Sequence, residues 1–380
     1  MTTKLRAASF QNSLIDSAMI PTNAITSAKI ADGAVDSDAI GSSAIVANKL
    51  GIGQIGGRKN IIINGAMQVA QRSTSEAGKG ADPGYFTVDR MYYYENGTTD
   101  VRFTQSQSTD VPAGEGFAKS LKFVPTTADT SLAADNQLVL KYRIEGQDIQ
   151  QLKWGTSNAE KVTLSFYIKS TKTGTFIVEL SRESRKISQA YTVSSSDTWE
   201  KKTLTYDGDT GGSVVTNDSS NRLEINYYMG VGTNYSSGTL DTTWTGGTNA
   251  NRAVGQVNVF DNTANVILFT GLQLEVGEHA TPFEHRSFGE ELLLCQRYYQ
   301  LVDALMWGHQ AKIGDTNRHV NWVLQPKMRA TPSLSVTDVR SPYSFGGTNE
   351  LAPEMANYYL SAGDTTSHVY GNKHVAVAEL

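Results

Sequence analysis

A strict five-residue repeat opens the chain and constrains its fold more than any other feature. Large apolar residues stand at Leu5, Phe10, Ile15, Ile20, Ile25, Ile30, Val35, Ile40, Ile45, Leu50 and Ile55, eleven consecutive positions spaced five apart. The residue two places earlier is small in most units, as in Ala8, Ser13, Ala18, Ala28, Gly33 and Ser43. Five matches neither the 3.6 of a helix nor the 2 of a strand, so an isolated element would scatter these residues over its surface. Each short unit instead offers one core residue that only neighbouring units can bury. Two geometries do this: a pentapeptide solenoid within one chain, or an interwoven threefold stem receiving one residue per chain at each step. With a Gly-rich exit at Gly51, Gly53, Gly56 and Gly57, the repeat makes a short and poorly capped solenoid. The stem is therefore the expectation, with Ile15, Ile20, Ile25, Ile30, Val35, Ile40, Ile45 and Leu50 as its core. That makes the protein a homotrimer through residues 1–57.

After the repeat the composition changes. The 380-residue chain is only 19% charged and contains 34 Gly against 9 Pro, a mixture that suits strands and turns better than a helical bundle. Residues 58–286 alternate clearly in Leu138, Leu140, Tyr142, Ile144, in Val162, Leu164, Phe166, Ile168, and in Leu223, Ile225, Tyr227, Met229. The run closes with Val266, Leu268, Thr270, Leu272, Leu274. Many strands with one apolar face each predict a β-sandwich or jelly roll. Ser287 with Glu290 reads as a capping box opening a connecting helix over 287–300, with Leu292, Cys295 and Tyr299 on one face. Residues 301–380 return to strand signals at Val320, Trp322, Leu324, Leu334, Val336, Val375 and Val377, predicting a small C-terminal β domain of about four to six strands. The fold class is thus mainly β.

The net charge of −5 comes without any run of Lys or Arg, which argues against nucleic-acid binding. No apolar run approaches the roughly 18 residues that span a bilayer, so no membrane insertion is expected. A single cysteine, Cys295, forbids an internal disulfide and removes zinc sites built on Cys pairs.

Several blocks resemble the adhesive domains of bacteriophage tail fibre proteins. Asn60-Ile61-Ile62-Ile63-Asn64-Gly65-Ala66-Met67-Gln68-Val69-Ala70-Gln71-Arg72 with Val88-Asp89-Arg90 is similar to the opening of their jelly roll. Gly271–Gly277 and Ala280–Arg286 are similar to its close, and Cys295-Gln296-Arg297-Tyr298-Tyr299 and Met328-Arg329-Ala330-Thr331-Pro332 to what commonly follows. The repeat is similar to the stems of such fibres, while Met91 stands where a Trp often follows the Asp-Arg pair. The resemblance implies a trimeric fibre made in the host cytoplasm and carried on the virion. Its N-terminal segment would grip a tail or adaptor protein, and its distal domain would attach to a host surface glycan or lipopolysaccharide. A capsid fibre without a receptor and a polysaccharide-cleaving spike are the alternatives.

An enzyme needs a constellation, and the expectation is that this chain is not one. The six histidines form no metal pair at helical spacing, and no Gly-x-Ser-x-Gly elbow occurs. Glu284 and His285 read as a structural hydrogen-bonded pair, and Cys295 as a small core residue. Asp207 and Asp209 resemble part of a calcium loop that breaks at Gly211; Ca²⁺ is the one ion considered, and no cofactor is expected. Sugar recognition needs flat aromatic faces beside hydroxyl-binding polar groups. Alternation exposes Tyr93, or else both Tyr92 and Tyr94; Tyr228 opposes the apolar phase of Leu223 and Ile225; Trp244 and Tyr235 lie in turn-rich stretches. The expected carbohydrate-binding residues are Tyr93, Trp244, Tyr228 and Tyr235.

Overall fold

Twelve strands divide between two facing sheets, most of them with apolar side chains on the face turned to the other sheet. They are β1 (Ser75–Lys79), β2 (Gly84–Tyr85), β3 (Tyr92–Asn96), β4 (Arg102–Ser108), β5 (Ser120–Thr127), β6 (Gln137–Glu145), β7 (Val162–Ser170), β8 (Gly174–Arg182), β9 (Arg185–Val193), β10 (Thr198–Tyr206), β11 (Asn221–Val231) and β12 (Ile267–Val276). The first sheet runs β1-β4-β5-β12-β7-β10 and the second β2-β3-β6-β11-β8-β9. The computed structural model describes residues 58–97, 99–307, 309–310, 316–337, 344–361 and 370–380. The five-residue repeat, with Ile15, Ile20, Ile25, Ile30, Val35, Ile40, Ile45 and Leu50, lies outside the described residues.

The inner faces close on one core. Leu140, Tyr142, Ile225, Tyr227 and Val178 of the second sheet meet Phe103, Phe123, Phe166, Ile168 and Phe269 of the first. Its rings pack edge to face, as between Phe166 and Tyr227 at 5.3 Å and 88°. The alternation read from the sequence therefore marks the inward phase correctly in β6, β7 and β11, and the fold is a β-sandwich. In β12 it holds only for Leu272 and Leu274, because a bulge between Thr270 and Gln273 switches the phase and Ile267 and Phe269 enter the core ahead of it.

Helix α1 (Phe288–Gln296) follows, with Ser287 Oγ accepting from the Glu290 N–H at 3.3 Å. It is shorter than its predicted span: Tyr299 begins β13 rather than continuing the helical face. Seven strands complete the described residues, where four to six were expected: β13 (Tyr299–Trp307), β14 (His309–Gln310), β15 (Asn317–Val323), β16 (Ser333–Thr337), β17 (Ser344–Ala352), β18 (Met355–Ser361) and β19 (Tyr370–Val377). They form a β13-β19-β16 sheet and a β14-β15-β18-β17 sheet around Trp322, Met328, Tyr358 and Leu360. Strand β17 escapes a pattern search because Gly346 and Gly347 interrupt it. A Cβ on Gly346 would stand 2.3 Å from the Tyr359 ring, so that ring lies directly on the backbone.

The blocks quoted above converge in space on one seam. Asn60 Nδ2 donates to the Leu272 carbonyl at 3.0 Å, and Asn60 Oδ1 accepts from the Leu274 N–H at 3.1 Å. Glu284 Oε2 accepts from the N–H groups of Lys59 and Asn60, each at 2.7 Å. The Arg90 guanidinium lies 3.4 Å over the Tyr298 ring, and Arg72 lies 3.9 Å over Tyr299. Glu379 bridges Arg72 at 2.9 Å and Arg90 at 2.8 Å, and the Arg329 N–H donates to the Arg297 carbonyl. These motifs are the framework that ties the sandwich to the C-terminal sheets.

Candidate functional site

The outer face of the second sheet is polar and aromatic, and the strand register orders it into rows. Arg143, Glu224, Ser181 and Lys186 stand opposite one another across β6, β11, β8 and β9. The next row is Tyr92, Lys141, Asn226, Glu179 and Ser188. A third begins Tyr94, Val139, Tyr228 and is roofed by Leu240 and Ala253 of the segment after β11. The first row, with Tyr92, Lys141 and Tyr94, floors a groove, while Asn226, Glu179 and Ser188 of the second row are buried beneath it. A cavity of about 290 Å³ opens beside Ser181, Asn221, Arg222 and Glu224.

Charge is distributed tightly along this floor. Lys141 Nζ sits 3.9 Å over the Tyr94 ring, and the Arg143 guanidinium 4.2 Å over Tyr92. Both cations reach Glu224, at 3.3 and 3.0 Å. Burial alone would raise the Glu224 pKa, but Lys141 and Arg143 outweigh it and hold the carboxyl below its usual range. Burial pushes the Lys141 ammonium down. Deeper, Glu179 is fully buried and accepts from Arg252 Nε and Nη2, each at 2.8 Å, and from Asn226 Nδ2 at 3.1 Å. Some groups near this floor stay uncommitted among the described residues. Asn226 Oδ1 is buried without a partner, and the Lys186 ammonium makes no hydrogen bond or ion pair. A polyhydroxylated ligand supplies an acceptor for the Lys186 ammonium.

The expected site residues divide. Tyr93 is a correction: β3 pairs it with Leu140, so its ring faces inward, fully buried, with its centroid 4.7 Å from Phe103. The outward tyrosines are Tyr92 and Tyr94, both half-buried on the groove. Tyr228 has the outward phase read for it, yet it is only 1% exposed because Leu240 and Ala253 cover it. Tyr235 stands at the groove's edge, its hydroxyl accepting from Asn96 Nδ2 at 3.2 Å and its ring 5.8 Å from the Arg252 guanidinium. Trp244 is half-buried outside the groove. It packs edge-on against Trp154 at 5.2 Å and donates from Nε1 to the Asp207 carbonyl at 2.7 Å.

One of two smaller readings also changes. Asp209 is fully buried and held by Arg182 at 2.7 Å and Arg185 at 2.9 Å, while Asp207 faces Lys161 at 3.4 Å. The turn read here is thus locked by ion pairs. Glu284 serves the backbone of residues 59 and 60, and His285 packs instead on Phe283 at 4.9 Å. Cys295 is buried, as read. The residues missed from sequence are Lys141, Arg143, Glu224, Asn226 and Lys186. The signal for the first four was the polar phase between the apolar positions, odd-numbered in β6 and even-numbered in β11; Lys186 lies on β9.

No protein-family model matches the chain, and no curated protein matches it. Among solved structures it is similar to the enzymatically active domain of tailspike protein 4 from bacteriophage CBA120, at 14% identity and TM-score 0.30 over 57% of this chain. That match spans 21% of the tailspike. A family 11 carbohydrate-binding module from Clostridium thermocellum, in complex with a β-1,3-1,4-mixed-linked tetrasaccharide, matches at 10% identity and TM-score 0.26 over 56% of this chain and 99% of its own. A xylan-binding domain from Paenibacillus barcinonensis matches at 11% identity and TM-score 0.25 over 59% of this chain and all of its own.

Proposed function

We propose that this chain is a virion fibre protein whose sandwich binds carbohydrate on the host surface through the groove on its second sheet. The observation that carries the reading is the pair of outward tyrosines, Tyr92 and Tyr94, beside Lys141, Arg143, Glu224 and Lys186. Aromatic faces meet the C–H side of a sugar, and interleaved donors and acceptors meet its hydroxyls. The five-residue repeat joins three chains into a stem anchored on a tail or adaptor protein. Three weak sugar sites on one particle-borne trimer then gain avidity of about 10²–10⁴ without new contacts. The role is adhesive rather than catalytic, and the ligand is a surface polysaccharide or the saccharide part of lipopolysaccharide.

The test takes the full chain over immobilised lipopolysaccharides and capsular polysaccharides from a panel of bacteria, with its mass measured by light scattering. The reading expects about three times the 41.2 kDa chain mass, saccharide-specific retention, and no release of reducing ends. Retention by none of the polysaccharides would refute adhesion; release of reducing ends would favour the cleaving spike.

A further inference from the structure

The other outer face of the sandwich carries a second cavity, of about 500 Å³, which the groove does not use. Four separate segments build it: the turn between β4 and β5 with Glu115 and Phe117, β7 with Tyr167, β10 with Lys201, and the stretch after β12 with Phe283 and His285. Tyr167 and Lys201 are register partners on neighbouring strands, and Tyr167 holds the outward phase while Phe166 and Ile168 enter the core. The aromatic walls brace one another. Phe117 meets Tyr167 at 5.4 Å and 61°, and Phe283 at 5.0 Å and 67°.

Glycine makes room for this arrangement at two points. Gly271 has φ +64°, and a Cβ there would stand 2.6 Å from Phe117 Cζ and 3.0 Å from Tyr167 Cδ2. Gly116 has φ +79°, and a Cβ there would stand 3.2 Å from His285 Nε2. Polar groups converge on the space between the rings. Tyr167 donates its hydroxyl to Glu115 Oε2 at 2.6 Å, leaving Oε1 open. Lys201 Nζ lies 5.7 Å from the Tyr167 centroid, and neither it nor His285 makes a hydrogen bond among the described residues.

We infer that this cavity is a second ligand site, and that it takes an uncharged hexopyranose unit. The volume lies within the roughly 300–1,000 Å³ of small-ligand pockets. A carboxylate-bearing ligand meets Glu115, and an ammonium-bearing one meets Lys201. A neutral polyol instead donates to the first and accepts from the second, laying its C–H face on Phe283 and Phe117. The inference stands apart from the groove, because no residue is shared between the two faces.

The experiment is saturation-transfer NMR on the full chain with the methyl pyranosides of glucose, galactose and mannose and the methyl glycoside of glucuronic acid, each at about 10 mM, where millimolar binding shows. At least one neutral glycoside gives a signal that Lys201→Ala and Phe283→Ala abolish and Tyr94→Ala, on the groove, leaves intact. Lys201 is exposed, so its variant keeps the fold even if Phe283→Ala does not. Absence of signal from all three neutral probes overturns the inference. So does a signal indifferent to Lys201→Ala, one lost in Tyr94→Ala, or stronger binding of the glucuronide.

Discussion

Glu179 and Arg252 hold the roof of the groove to its floor, and breaking that pair gives the sharpest stability prediction. Glu179 is fully buried in the sheet, and Arg252, whose side chain is 14% exposed, reaches it with two bonds of 2.8 Å. The Arg252 carbonyl also accepts from Ser188 Oγ at 2.8 Å, and the next N–H, Ala253, donates to the Tyr235 carbonyl. Burial alone would lower the Arg252 pKa, and the Glu179 bonds more than reverse it. Removing the cation with Arg252→Met leaves a buried carboxylate facing only Asn226 and Tyr228. The usual cost of stranding such a charge is about 3–5 kcal/mol, and the partial exposure of Arg252 places this case near the lower end, at about 3 kcal/mol. Glu179→Gln costs less, about 1.5–2 kcal/mol, because Arg252 can turn to water. The double variant Glu179→Gln/Arg252→Met costs about 1–2 kcal/mol less than the two singles summed, since the stranded charge is gone. Urea unfolding followed by far-ultraviolet circular dichroism reads all four proteins. An Arg252→Met change within 0.5 kcal/mol of wild type, or strictly additive singles, would show that the pair does not hold the roof.

Three further outcomes follow from particular residues. Burial raises Glu95 from the usual carboxylate range to about 7, so its ionised form destabilises the fold above that pH; the penalty is relieved as pH falls from about 7 toward 4.5. Thermal melts at pH 8 and pH 5.5 should show higher stability at the lower pH, and Glu95→Gln should flatten that difference; an unchanged pH dependence in the variant contradicts the assignment. Gly271→Ala should cost about 2–3 kcal/mol from left-handed strain plus contact with Phe117, whereas Gly78→Ala, at φ +67° with nothing within 4 Å, should cost only the strain, about 1 kcal/mol. Equal costs in denaturant melts would show that the aromatic floor yields. In the repeat, Ile30→Ser with Ile40→Ser should lower the oligomeric mass seen by light scattering, and retention of full mass would remove the interwoven stem.

Much of the fold was legible because alternation reports phase locally. The inward phase of β6, β7 and β11 followed from Leu140, Phe166 and Ile225 alone. Three consecutive tyrosines at 92–94 carry no phase of their own, and only pairing with Leu140 turned Tyr93 inward. Tyr228 shows the complementary failure. Its outward direction was readable, but its cover comes from Leu240 and Ala253 in a stretch without periodicity. The Arg182–Asp209 lock and the Arg252–Glu179 pair join residues far apart in sequence, which no spacing argument reaches. The most recognisable motifs, around Asn60, Asp89 and Arg90, Gln273, and Arg297 to Tyr299, marked a structural seam rather than the groove. Recognisability tracked the framework, while the groove sits on strand faces whose residues look ordinary one at a time.

The measurement that tests the central claim most directly is surface plasmon resonance of the full chain against the polysaccharide that retains it best, comparing wild type with Tyr94→Ala and Lys186→Gln. Both side chains are half-buried, Tyr94 beside the cluster under the roof and Lys186 on the outer face of β9. Adhesion through this face predicts at least a tenfold weaker response in each variant, equivalent to about 1.4 kcal/mol per contact before avidity multiplies it. Wild-type affinity in both variants, with melting unchanged, would contradict the account and move adhesion off this face.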